Sequence, residues 1–260
     1  MSEGSGEKKV QVHLPFPLLI DRFDEILADG INPEVFLDGG GLDTALPSDL
    51  KRIRDEFGAR GLTVTMHGPY GSINPGSASE EVRKSTVERY ERVFEVLSHL
   101  RPRTVVLHAG YNERKFNGDE ELWLAQSMKT WPPFVKEAER LGVVIAAENI
   151  FEKTPRTLKA LVDGIDSPNF GACIDSGHLN VFSTVDMEEW FFSLGHKIAE
   201  VHIHDNSGNA DDHLPVGEGE IDFPLFFSLL KKYAGDPVYT IEPHGEEVMR
   251  RAIMAIRKFL

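Results

Sequence analysis

The sequence predicts a single-domain α/β protein of the (β/α)8 TIM-barrel class, and three observations carry that expectation. The chain has 260 residues, close to the roughly 250 that one such barrel uses. Short apolar runs alternate with amphipathic segments along the whole length, and the count reaches eight pairs, more than an open doubly wound sheet usually needs. No break in composition, Gly-rich phosphate loop or internal repeat sets off a second domain.

The elements follow in order. Met1–Lys9 is polar and Gly/Ser-rich and reads as a disordered tail, leaving 10–260 for the barrel. Strands are expected at Val10–Pro15, Glu34–Leu37, Leu62–Met66, Thr104–Leu107, Val143–Ala147, Phe170–Ile174, Glu200–Ile203 and Val238–Ile241. These runs are rich in Val, Ile and Thr and nearly all apolar, as strands covered on both faces must be. Between them lie the helices Leu18–Leu27, Pro47–Phe57, Ser79–Leu100, Asp119–Leu141, Pro155–Val162, Met187–Leu194, Leu225–Tyr233 and Glu246–Phe259. In the third, Val82, Val87, Tyr90, Phe94 and Leu97 fall on one face. Gly142, Gly195 and Gly235 stand where helix C-terminal glycines stand.

Composition narrows the function. With 28 basic and 42 acidic residues the net charge is −14, so the surface repels phosphate backbones and a nucleic-acid partner is not expected. Cys173 is the one cysteine, so no intrachain disulfide forms, and its apolar neighbours make it a core residue. No run of 18 apolar residues suggests a membrane span, and the start of the chain lacks a signal-like apolar stretch. The expected location is the cytoplasm, and the composition leaves a homo-oligomer open.

The chemistry lies where the strands stop being apolar. The third strand reaches His67, the fourth His108, the fifth Glu148 and the sixth Asp175 and then His178. The seventh contains His202 and is followed by Asp205, Asp211 and His213, and the eighth reaches Glu242. One such residue is ordinarily a hydrogen-bonded structural group or a helix cap. Strand ends of a barrel converge on one open face, however, so six of them would deliver imidazoles and carboxylates to one place. That donor set suits Zn, Mn, Co or Fe rather than Ca, and the carboxylates need cations to stay together. His204 is set apart, as pointing to the opposite face from His202. His13, His99, His196 and His244 stay unassigned.

The motifs His67-Gly68-Pro69-Tyr70, Glu148-Asn149, Ile174-Asp175-Ser176-Gly177-His178, His202-Ile203-His204-Asp205, Asp211 to Gly219 and Ile241-Glu242 resemble the xylose isomerase-like barrel superfamily. It contains sugar and sugar-phosphate isomerases and epimerases together with endonuclease IV, and the likeness covers nearly the whole chain after the tail. The resemblance implies a metal site of Glu148, Asp175, His202 and Glu242, with Glu148 and Glu242 as the catalytic carboxylates. It implies that His67, His108, His178, Asp211 and His213 serve further metals or the substrate. Tyr70, Asn149 and Glu218 become candidate substrate contacts, and Arg114 and Lys115 could meet an anionic group.

The implied activity is metal-dependent isomerisation or epimerisation of a small sugar-like hydroxy-carbonyl compound through an enediolate, with one divalent metal expected and three the upper limit. The alternative implied is a multi-metal phosphodiesterase acting at abasic DNA. Against it, the stretch Asp205–Asp222 has no Lys or Arg, and Gly71-Ser72-Ile73-Asn74-Pro75 departs from the hydrophobic wedge of the endonucleases. The substrate-holding Arg of the sugar 3-epimerases is missing from the same stretch, so the substrate pocket is expected to differ from theirs too.

Overall fold

The computed structural model describes residues 8–71 and 73–260. Most of the expected tail, and Ser72, therefore lie outside the described residues. Lys8 and Lys9 do not belong to a free tail: Lys8 pairs with Asp236 at 2.5 Å and Lys9 donates to the Gly61 carbonyl at 2.6 Å.

Eight parallel strands close into a barrel in sequence order: β1 (Val10–Pro15), β2 (Asn32–Phe36), β3 (Thr65–His67), β4 (Thr104–His108), β5 (Val144–Glu148), β6 (Phe170–Asp175), β7 (Ile198–Ile203) and β8 (Val238–Ile241). Closure comes from β1 pairing with β8, Val12 opposite Ile241. The helices are α1 (Phe16–Asp21), α2 (Phe23–Ala28), α3 (Gly39–Thr44), α4 (Pro47–Ala59), α5 (Glu80–Leu100), α6 (Glu113–Phe116), α7 (Glu120–Leu141), α8 (Arg156–Ile165), α9 (Ser176–Phe182), α10 (Met187–Leu194), α11 (Phe223–Tyr233) and α12 (Glu246–Ile256). Among the described residues no helix is long and apolar enough to cross a membrane.

Strand alternation sorts the side chains into two environments. Val35, Met66, Val105, Leu107, Ile145, Ile174, Val201 and Ile203 face outward into the main core. There they meet helix residues such as Tyr90, Leu97, Trp123 and Trp131. The barrel interior holds a separate small cluster of Val106, Ala146 and Cys173, so the cysteine is a core residue as expected. Around it lie Gln11, Glu34, Thr65, Thr104, Glu200 and Thr240, all buried. Branched apolar residues usually fill this space. Here a polar column stands beneath the open end.

Several boundaries differ from the expectation. The segment Leu18–Leu27 is two helices, broken at Arg22, whose φ of −114° is not helical. β2 and β7 begin two residues early, and β3 does not begin until Thr65. Three helices were invisible to periodicity, because α3, α6 and α9 have only 6, 4 and 7 residues. They depend on caps: Asp38 accepts from the Gly41 amide at 2.6 Å, and Asp175 from the His178 amide at 2.7 Å. Gly142 does end α7, in the left-handed region at φ 69°, whereas α11 is capped by Ala234 rather than Gly235.

Candidate metal centre

Parallel register does most of the assembly. Asp175 sits opposite His202 across β6 and β7, and His108 opposite Glu148 across β4 and β5. These residues point inward at the C-terminal end of the barrel. Above them opens a cavity of about 560 Å³. Its lining includes His13, Phe36, His67, Tyr70, His108, Glu148, His178, Asp211, His213, Glu242 and His244, and no lysine or arginine among the described residues.

The four residues implied as the metal set are brought together. His202 Nδ1 lies 3.1 Å from Glu242 Oε1, 3.3 Å from Glu148 Oε1 and 3.9 Å from Asp175 Oδ2. His202, Asp175, Glu148 and Glu242 are all buried, and His202 Nδ1 has no hydrogen-bond partner. Three buried carboxylates around an open imidazole nitrogen are a donor set that a divalent cation fits. The further residues converge beside it. Donor atoms of His67, His108 and Glu148 lie within 4.8 Å of one another, as do those of His204, His213 and Glu242. His178 Nε2 and His213 Nε2 lie 3.4 Å and 3.0 Å from Asp211 Oδ2.

The imidazoles are aimed by what their second nitrogens do. His67 Nδ1 donates to the Gly68 carbonyl at 2.7 Å, His178 Nδ1 to Asn149 at 2.9 Å and His213 Nδ1 to Glu242 at 3.0 Å. Each therefore turns Nε2 toward a carboxylate. His202 is reversed: its Nε2 lies 3.3 Å from Glu34 Oε1, and Nδ1 faces the carboxylates.

Protonation follows from this crowding. Burial opposes charge at every group, yet the histidines around them hold the Glu148 and Glu242 carboxyls well below the usual carboxylate range, and Glu34 at about 2. Burial likewise lowers the imidazoles, but neighbouring carboxylates push His67 and His213 up to about 9 and His178 well above the usual range, and Cys173, followed by Glu242, Glu34 and Glu148, does the same to His202. His108 is pulled down by its burial. Carboxylates crowded in this way are stabilised by a balancing positive charge, which imidazolium protons or a bound cation can each supply.

Asp205 organises the loop that carries Asp211 and His213. Its Oδ2 accepts from the Gly217 and Gly219 amides, both at 2.9 Å, and its Oδ1 from Asn206 at 2.9 Å and Ile221 at 3.1 Å. Of the candidate substrate contacts, Tyr70 lines the cavity and stacks on both Phe36 and His108. Asn149 is buried, and its side-chain oxygen accepts from the Asp175 amide at 2.9 Å, so it braces the strand end that carries Asp175. Glu218 is not brought to the cavity lining and pairs with Arg251 at 3.0 Å. Arg114 and Lys115 are exposed on α6, also outside the lining.

Four residues at the site went unread in the sequence. His204 belongs to it, with Nε2 3.0 Å from Asp175 Oδ2, which corrects the expectation that it points away from His202. Residues two apart in a strand share a face, so its parity with His202 was the available signal. His13 and Glu34 are inward-facing residues of β1 and β2, paired at 2.9 Å, and His244 stacks on His213 with ring centres 3.8 Å apart.

Comparison with known proteins bears on the family and the fold. A family model described as "Xylose isomerase-like TIM barrel" matches residues 29–259. An uncharacterised protein of Methanocaldococcus jannaschii is 34% identical over 200 residues, 74% of this chain and 67% of its own. Among solved structures, a D-tagatose 3-epimerase-like protein superposes with a TM-score of 0.80 at 29% identity, over 95% of this chain and 96% of that one. D-psicose 3-epimerase, crystallised in the presence of D-fructose, has the same fold, with a TM-score of 0.77 at 15% identity over 96% of each chain. The chain belongs to the xylose isomerase-like TIM barrel family.

Proposed function

We propose that this protein is a divalent-metal-dependent isomerase or epimerase of a small uncharged sugar or related hydroxy-ketone. The observation that carries the reading is the unpartnered, buried His202 Nδ1 facing Glu148, Asp175 and Glu242. These four residues would hold the cation, which supplies Lewis acidity that lowers the cost of an enediolate. Glu148 on β5 and Glu242 just beyond β8 enter from strands separated by β6 and β7. One carboxylate takes the proton from the carbon beside the carbonyl and the other returns it, so the stereocentre inverts or the carbonyl migrates. His178, through Nε2, hydrogen-bonds a substrate oxygen. The parallel rings of Phe36 and Tyr70, 5.4 Å apart, give the cavity a flat wall for the apolar face of a sugar.

The likeness to a D-tagatose 3-epimerase-like structure supports this class. The absence of lysine and arginine from the described lining favours an uncharged sugar over a sugar phosphate. The same absence, with a net charge of −14, disfavours DNA. The test is a panel of ketoses incubated with metal-loaded protein in heavy water. The expected result is interconversion of at least one pair of sugars with deuterium at the inverted or newly formed carbon centre. No exchange with any ketose, together with nicking of an abasic-site duplex, sinks the proposal.

A further inference from the structure

We infer that Glu34 is a positioning residue that fixes the ring of His202, so that Nδ1 and not Nε2 is the nitrogen offered to the cation. The inference rests on the metal reading of Glu148, Asp175, His202 and Glu242.

The geometry comes from a contrast among the imidazoles. His67, His178 and His213 are each held at Nδ1 by a backbone carbonyl, at 2.7, 2.9 and 3.0 Å. A carbonyl can only accept, so it fixes the N–H and frees Nε2. His202 sits one layer deeper and has no such carbonyl at Nδ1, which is unpartnered. Its anchor is a side chain on the far side of the barrel, Glu34 Oε1, 3.3 Å from Nε2. Glu34 is 0% exposed and does not line the cavity, so it is placed to touch the histidine and not a substrate.

Glu34 is itself held. Its second oxygen, Oε2, lies 2.9 Å from His13 Nδ1, and that nitrogen is also 3.2 Å from Glu242 Oε1. His13 thus links the anchor of one ligand to a second ligand. A carboxylate hydrogen-bonded to a ligating histidine orients the ring and raises its basicity, and loss of such a partner typically weakens metal binding by about 10- to 100-fold. A carboxylate also does what a carbonyl cannot: it adds negative charge behind the ring at a depth where water does not reach.

The test uses full-length protein loaded with zinc for affinity and with cadmium-113 for nuclear magnetic resonance, its histidines labelled with nitrogen-15. In wild type the cadmium coupling at His202 should appear on Nδ1, with Nε2 carrying the proton. Glu34→Leu removes both hydrogen bond and charge. It should weaken zinc binding at least tenfold and move or erase the Nδ1 coupling. Glu34→Gln keeps an oxygen acceptor and the shape, and serves where the leucine variant does not fold. It should keep the Nδ1 coupling and still lose affinity about tenfold, because the charge is gone. Wild-type affinity and unchanged coupling in both variants overturn the assignment and leave the metal reading intact. A wild type that takes up no metal overturns both.

Discussion

The imidazole of His204 lies against Gly177 so closely that a β-carbon there would sit 1.9 Å from Cε1 and 2.5 Å from Nδ1. The glycine is thus a steric requirement of the site. Gly177→Ala must displace either α9 or the His204 ring, and the ring is held at Asp175 Oδ2, 3.0 Å away. The variant should fold, lose about 1–3 kcal/mol of stability to overpacking, and bind metal at least tenfold more weakly. Thermal unfolding and zinc titration measure the two effects. Unaltered zinc affinity would mean that His204 plays no part in holding the site together.

Asp205 should be the residue on which loop seven, the stretch Asp205–Asp222 between β7 and α11, depends. Its carboxylate accepts four backbone amides, two on each oxygen. Asp205→Asn leaves one good acceptor and turns an NH2 toward amide donors. We expect a loss of about 2 kcal/mol or more and rapid protease cleavage between residues 206 and 222. Resistance to protease equal to wild type would show that the loop is held by its other contacts.

Glu148 bears on both metal content and chemistry. Glu148→Gln keeps the shape but removes a charge that lies 3.3 Å from His202 Nδ1 and 3.1 Å from His108 Nε2. Elemental analysis of protein purified without added metal or chelator should find one tightly held ion per wild-type chain and much less in the variant. Sugar interconversion should fall by at least 1,000-fold, because a group that moves a proton is lost as well as a ligand. Equal metal content in the two proteins argues that Glu148 is a structural cap. Two or three ions in wild type would show that His67, His108, His178, Asp211 and His213 ligate metal as well.

Glu152 gives the fold a pH dependence of its own. Its Oε2 accepts from the Ile150 amide at 2.6 Å, but burial raises the carboxyl from 4.5 to about 7. A carboxyl with a raised folded-state value takes up a proton on folding, so its contribution falls as pH climbs from about 4.5 to 7 and stays low above. Glu152→Gln keeps the acceptor and removes the titration. In metal-free protein the variant should match wild type near pH 4.5 and exceed it above pH 7 by at most about 3 kcal/mol. Thermal unfolding across that range checks the sign, and parallel curves would rule out a buried titrating Glu152.

The strand ends were legible because an ionisable group closing an uncharged, mostly apolar run is conspicuous, as at His67, His108, Glu148, Asp175 and Glu242. Glu34 and His13 were not, because they lie within strands, where one polar residue among apolar ones reads as ordinary alternation. Only closure shows that they face inward, where Glu34 meets His202 and His13 meets Glu34 and Glu242. The order of Asp211 to Gly219 was readable, but the direction of Glu218 was not. The turn at Gly217, with φ 86°, carries it away from the cavity to Arg251. The short helices α3, α6 and α9 have too few turns to display a period. The caps Asp38 and Asn112 look like ordinary loop residues, and Asp175 reads as a strand-end site residue rather than as the cap of α9.

The path of loop seven is held by two side chains, Asp205 and Asn206, acting on main-chain amides and carbonyls. Asp205 grips amides, and its own backbone pairs with Leu214 at 2.7 and 2.8 Å. The strict demand on identity falls on Gly219, where a β-carbon would lie 2.3 Å from Asp205 Oδ1 and 2.4 Å from the Asn206 carbonyl. The side chains of Ser207, Asn209 and Asp212 make only exposed bonds within this group, Ser207 Oγ to Asp212 Oδ2 at 3.1 Å and Asn209 Nδ2 to the Ser207 carbonyl at 3.3 Å, and Ala210 is exposed. A library randomised at those four positions, with Asp205, Asp211, His213 and Gly219 kept, would change the loop surface beside the cavity-lining Asp211 and His213 while its scaffold stays put. The fastening of this loop thereby makes it a graft site, where exposed residues can be exchanged while Asp211 and His213 keep their places.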